Sequence, residues 1–362
     1  MTPARTLCLL VALSGAALVW LNRVSPDESR LLGLGLLLAG LGLAVRPEGR
    51  RARRTAELLA VGMLLLLGGE LAVRWQNTIA QRDFSDAFVH FVDDVELRYE
   101  LKPNTRCSES ITNDLGMLDV ARQPANPRGA LRIACLGDSV GGDCQLPGRN
   151  ACAALETELG RVRPVEVLNF SVPGYNTLQE ARALETKAAA FAPDAVVVLY
   201  VINDPYPDLA ISHHLPGQLK FEHLLYSGLR QLLARVGLGD PLADDLARLY
   251  GDPRAWNVVV RGFERISTFA RARSIPVVVA IFPVFLTRPS SLAPIYQRVA
   301  AEATRQGLWP IDLSERAYRD VPVSSLLKPS QDSIHPNAHA HELAAAAIAR
   351  ALLDARPGWR QP

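Results

Sequence analysis

Short apolar, β-branched runs alternate with longer helical segments through the C-terminal two thirds of the chain. The runs are "LRIACL" (131–136), "VEVLNF" (165–170), "DAVVVLYV" (194–201), "PVVVAIF" (276–282) and "LWPIDL" (308–313). Helical stretches fall near 150–160, 177–192, 255–273, 291–306 and 337–354. The run Thr177-Leu-Gln-Glu180 reads as a capping box opening one of them. Near-continuous apolar strands between helices imply an α/β fold, a parallel sheet covered on both faces. Such sheets bind ligands at the carboxyl ends of their strands. The first run ends in "GDSVGGDC", which places Ser139 at such an end.

A serine hydroxyl becomes a nucleophile when a base takes its proton, and the base is usually a histidine oriented by a carboxylate. Near the C-terminus, "QDSIHPNAHAHEL" sets Asp332 three residues before His335, at the start of the closing helix. A turn there can hold the carboxylate against one ring nitrogen and aim the other at Ser139. A tetrahedral intermediate also needs oxyanion donors. Gly174, in "NFSVPGYN", follows the second strand, and Asn203, in "LYVINDP", follows the third. The backbone N–H of Ser139, read as lying at a helix start, is a further donor. A metal site of His335, His339 and His341 is the competing reading; no suitable outside ligands accompany it. Asp138 reads as a structural cap of its turn, Asp204 as a tether of its loop, and His341 as a packed or surface residue.

Gly137-Asp138-Ser139, Gly174, Asn203-Asp204 and Asp332-x-x-His335, in that order, resemble the blocks of the SGNH (GDSL-type) hydrolase family. The resemblance covers roughly residues 131–355. It implies a flavodoxin-like three-layer α/β/α sandwich and ester hydrolysis. Ser139 is then the nucleophile, His335 the base and Asp332 its orienter. Ser139, Gly174 and Asn203 form the oxyanion hole, and no metal or cofactor is implied. Three positions depart from the family pattern: Val201, Asp143 and Ala340 stand where glycine is common. The same triad also serves an O-acyltransferase acting on envelope polysaccharide or lipid, which is the alternative function.

Residues 1–75 carry three apolar blocks: "TLCLLVALSGAALVWL" (6–21), "LLGLGLLLAGLGLAV" (31–45) and "LLAVGMLLLLGGELAV" (58–73). A spanning helix needs about 20 residues. These blocks, with their flanks, read as three transmembrane helices and not as a cleaved signal peptide. Glu70 falls near the exit end of the third. The loop 46–54 holds Arg46, Arg50, Arg51, Arg53 and Arg54, whereas the loop 22–30 balances Arg23 and Arg30 with Asp27 and Glu28. The positive-inside rule places the first of these loops in the cytoplasm and everything after about residue 75 outside. The expected organisation is a membrane region (1–75), a juxtamembrane spacer (76–129) and a catalytic domain (130–356). An insertion at 205–250 carries an amphipathic stripe over Phe221–Val236. The expected location is a bacterial inner membrane with the domain periplasmic or extracellular. The expected partners are the bilayer and an ester-bearing lipid or acylated carbohydrate. A net charge of +2 gives no reason to expect nucleic acid. An exported domain allows disulfides. Cys144 and Cys152 flank a short loop and read as a pair, and Cys135 reads as a packed thiol.

Overall fold

The computed structural model describes residues 88–205, 241–285, 289–328 and 335–360, and the isolated positions Arg54, Leu58 and Val61. All but those three belong to one compact unit of Phe84–Ala210 and Asp240–Pro362. The three apolar blocks, the stripe at 221–236 and Asp332 lie outside the described residues. Among the described residues no helix is long and apolar enough to cross a membrane.

Four short strands come first: β1 (Val89–Phe91) pairs with β2 (Tyr99–Leu101), and β3 (Arg106–Cys107) with β4 (Ser110–Ile111), both antiparallel. The apolar runs then become β5 (Leu131–Gly137), β6 (Val165–Asn169), β7 (Ala195–Tyr200), β8 (Val277–Ile281) and β9 (Trp309–Asp312). They form one parallel five-stranded sheet in the order β6-β5-β7-β8-β9. The chain runs outward in one direction to β6 and in the other to β7, so the order reverses at β5. The carboxyl ends on either side of that reversal are where such sheets bind ligands. Pro310, which has no N–H to donate, sits on the edge strand β9, where a missing ladder bond is tolerated.

The helices are α1 (Ala151–Gly160), α2 (Thr177–Thr186), α3 (Pro241–Gly251), α4 (Pro253–Arg273), α5 (Pro289–Arg305), the short α6 (Leu313–Arg316) and α7 (Ala338–Ala355). Alternation along the strands divides them between two cores. Ala134, Leu136, Val196, Val198, Val279 and Ile281 pack with residues of α2, α4 and α5. Ile133, Cys135, Val197, Leu199, Val278 and Ala280 pack with residues of α1 and α7. Both faces are covered, so β5, β7 and β8 are buried along their whole lengths. The insertion ends in α3, whose Leu246 and Tyr250 enter the first of these cores.

Helix α2 is capped one residue earlier than its sequence suggests. Asn176 accepts from Leu178 and Gln179, and Gln179 returns a bond to the Asn176 N–H. Thr177 and Glu180 therefore lie inside the helix, and both are buried. The spacer, over its described residues, packs onto the turn that precedes this helix. Tyr175 Oη donates to the Tyr99 carbonyl at 2.6 Å, Tyr99 Oη to the Pro173 carbonyl at 3.0 Å, and Gln179 Nε2 to the Leu97 carbonyl at 3.0 Å.

The cysteine pairing differs from the sequence expectation. The disulfides are Cys107–Cys144 and Cys135–Cys152. Cys135 faces the side of the sheet that α1 covers, and Cys152 is on the first turn of α1, 6.1 Å away between Cα atoms. The carbonyl of Cys144 accepts from Glu109 and Ser110, which brings the β3–β4 hairpin and Cys107 beside it. Closing loops of 37 and 17 residues restricts the unfolded chain by about 4 and about 3 kcal/mol in the chain-entropy model.

Candidate active site

Ser139 and His335 are 196 residues apart in sequence, and His335 Nε2 lies 2.9 Å from Ser139 Oγ. The serine stands in a tight turn directly after β5, where the Gly142 N–H closes onto the Asp138 carbonyl at 2.8 Å. That turn does not continue: the next helix, α1, begins at Ala151 under an Asn150 cap. The Ser139 N–H is thus at a turn and not at a helix start. Gly141 permits the turn to lie against the neighbouring loop, since a Cβ there would come within 2.1 Å of Ser171 Oγ.

His335 is held from behind. Leu327 and Pro336 form an isolated antiparallel bridge. The Asn337 N–H donates to the Leu326 carbonyl, and Asn337 Nδ2 donates to the carbonyls of Ser325 and Leu327. The Asn337 side-chain oxygen caps α7 through the Ala340 N–H. Asn337 therefore joins the helix start to the preceding loop and sets where the chain leaves His335. Asp332 is outside the described residues.

The other two candidates flank the serine turn. Gly174 has φ 84°, a left-handed conformation that glycine adopts without steric cost, and it turns the chain between β6 and α2. Its loop runs beside the Ser139 turn, with the Val172 N–H donating to the Gly137 carbonyl at 3.1 Å. Asn203 follows β7, and its Nδ2 donates to Asp138 Oδ2 at 2.9 Å. The other Asp138 oxygen accepts the Val140 N–H at 3.0 Å. Asp138 thus orients the amide of Asn203 and braces the turn of Ser139 at once. Nothing in the sequence announces that double role.

Three carboxyl groups are fully buried behind these loops. Burial raises the Asp138 carboxyl, opposed by the bonds from Val140 and Asn203 and by nearby His335. Burial pushes Glu180 and Asp204 well above the usual carboxylate range, and repulsion among the buried acids adds to it. Asp204 accepts one bond from Thr177 Oγ1 at 3.1 Å, tying the loop of Asn203 to the helix after Gly174. Among the described residues neither carboxyl oxygen of Glu180 has a hydrogen-bond partner. With both carboxyls raised, the folded chain holds these protons to higher pH than the unfolded chain does. Stability contributed by that difference falls as pH rises from the usual carboxylate range toward the raised values. Glu180→Gln removes one such group. Its melting temperature, relative to the unaltered protein, is expected to rise as pH increases above the usual carboxylate range of about 4 to 5. A pH-independent difference in thermal melts would show that Glu180 is ionised when folded.

His341 is fully buried, edge-on to Phe282, so it is a packed residue. Burial, with Lys328 and His335 nearby, pushes its ring down to about 3. His339 is exposed beside Glu342. Among the described residues no cluster of His, Cys, Asp or Glu is disposed to hold a metal ion.

A parallel α/β sheet with a serine–histidine pair at the carboxyl ends of its strands is an arrangement suited to hydrolysis. The model of the GDSL-like lipase/acylhydrolase family matches residues 135–343, more than half of the chain. The chain belongs to this family and is a GDSL-type hydrolase acting on ester bonds. No curated protein matches the sequence. Among solved structures it is similar to TesA, at 17% identity and a TM-score of 0.38, covering 62% of this chain and 98% of that one. It is also similar to a lipase/acylhydrolase from Enterococcus faecalis, at 18% identity and 0.39, covering 62% and 96%. A third is a variant of Axe2, an acetyl-xylooligosaccharide esterase from Geobacillus, at 15% identity and 0.41, covering 61% and 94%.

Proposed function

We propose that the chain is a membrane-anchored serine esterase that cleaves carboxylic esters on the extracytoplasmic side of a bacterial inner membrane. The observation that carries this reading is the 2.9 Å approach of His335 Nε2 to Ser139 Oγ. Ser139 Oγ attacks the ester carbonyl carbon as its proton passes to Nε2, and Asp332 orients the ring. The N–H groups of Ser139 and Gly174 and the Asn203 amide stabilise the negative oxygen. The amide gives one N–H to Asp138 and keeps its second for the substrate. The intermediate collapses, the alcohol leaves with the proton from His335, and Ser139 is left acylated. Water then attacks the acyl carbon as it gives a proton to His335, and the acid leaves as His335 returns that proton to Ser139 Oγ.

The three apolar blocks and the arginines of 46–54 support membrane anchorage with the domain outside. Two disulfides in the folded unit support the same side, because such bonds persist in oxidising compartments. The substrate is an ester-bearing lipid or an acylated carbohydrate. A fluorophosphonate is expected to label the purified protein and to leave Ser139→Ala unlabelled. Labelling of that variant would overturn the assignment. Release of free acid in the presence of an abundant sugar acceptor supports hydrolysis; acylated sugar as the main product would replace it with acyl transfer.

A further inference from the structure

Lys328 and Asp143 form a buried ion pair between the loop that carries His335 and the loop that carries Ser139. Lys328 Nζ lies 2.7 Å from Asp143 Oδ2, and the two side chains are 9% and 4% exposed. The ammonium group donates to Gln145 Oε1 at 3.2 Å, and its contact with Asp143 Oδ2 is ionic, without hydrogen-bond geometry. Asp143 occupies the position where glycine is common in the family, at the end of "GDSVGGD".

Both ends of the pair are fastened to the reacting side chains through backbone. Asp143 Oδ1 accepts the Gln145 N–H at 2.9 Å, and its chain neighbour Cys144 is fixed by the disulfide to Cys107. Lys328 follows Leu327, which bridges to Pro336, the residue after His335. Asn337 Nδ2 reaches the Leu327 carbonyl at 3.0 Å. A shift of Lys328 therefore carries Leu327 and Pro336 with it and moves His335 against Ser139.

Adhesion alone does not call for charge at this place. Two apolar side chains would join the loops without the desolvation that a buried ion pair incurs. A point charge opposite a fixed carboxylate admits far fewer registers than an apolar contact, and setting register is the best-attested use of buried polar pairs. Asp143 supplies the counter-charge to Lys328.

We propose that the Asp143–Lys328 ion pair is a latch that sets the register of His335 against Ser139, making both residues positioning residues for the reaction. The latch rests on the reading of Ser139 and His335 as the reacting pair. It predicts a loss in kcat and not in KM, because both side chains are buried against each other. With the full-length protein and a p-nitrophenyl ester, Lys328→Met is expected to lower kcat about 10- to 100-fold while KM stays within about twofold. The rate of fluorophosphonate labelling is expected to fall in step. Lys328→Arg, which keeps the charge, is expected to retain kcat within about threefold. The charge-reversed pair Asp143→Lys/Lys328→Asp is expected to exceed both of its single variants in kcat.

A Lys328→Met enzyme with unaltered kcat, or with a loss confined to KM, would overturn the latch. If Lys328→Met does not fold, the charge-reversed pair decides: kcat above that of either single variant supports the latch. A reversed pair that is no better, or that also fails to fold, overturns it. Ser139→Ala separates the two levels. Turnover by that variant removes the reading on which the latch rests. An inactive Ser139→Ala beside an unimpaired Lys328→Met removes the latch alone.

Discussion

Ser139→Ala and His335→Ala are each expected to lower kcat by about four to six orders of magnitude, and the double variant is expected to be no slower than the worse single one. The reason is geometric. In the proposed reaction the 2.9 Å contact joins the group that loses a proton to the group that takes it. Without His335 the hydroxyl remains protonated and weakly nucleophilic; without Ser139 the imidazole has no hydroxyl to activate. Each side chain is useful only through the other, so removing the second costs little more. Steady-state kinetics on an activated ester, with melting temperatures for all three variants, measure this. Additive losses would mean that the two residues act in separate steps.

The second large effect is expected at Asn203. Asn203→Ala should lower kcat about 100- to 1,000-fold with KM changed little, because an oxyanion donor acts on charge that exists only in the transition state. Asp138→Asn tests how the donor is aimed. Asp138 accepts from both Asn203 Nδ2 and the Val140 N–H. An amide at 138 can accept with one atom only, so one of these bonds is lost. Its kcat is expected to fall part of the way toward that of Asn203→Ala, and the double variant to match Asn203→Ala within about threefold. An Asn203→Ala enzyme with unaltered kcat would take the amide out of the oxyanion site.

The strands were readable because burial on both faces leaves no place for polar residues, and β5, β7 and β8 show that burial directly. That Ser139 and His335 would meet was readable for a different reason. The chemistry demands a nucleophile at a strand end and a base with a nearby carboxylate, and few places in the chain offer both. Other features depend on which faces meet and left no local mark. Cys135 carries no sign that α1 will bring Cys152 against it, and a nearby partner looked better for Cys144 than the distant Cys107. The cap of α2 moved by one residue because Asn176 and Gln179 compete with Thr177 and Glu180 for the same role. Asp143 looked like a departure from the family pattern, and its partner Lys328 is 185 positions further along.

The two disulfides have an order along the chain that matters before any substrate is met. Cys107 pairs with Cys144 and Cys135 with Cys152, so the two covalent rings overlap, and their shared stretch, 135–144, contains Ser139. Sequence proximity favours other pairings first, such as Cys135 with Cys144 or Cys144 with Cys152. The first imprisons the serine turn in a small ring, and both leave the β3–β4 hairpin without its anchor. A host that oxidises thiols without reshuffling them would thus yield full-length, disulfide-bonded and inactive protein. Correct pairing would then call for thiol–disulfide reshuffling as well as oxidation.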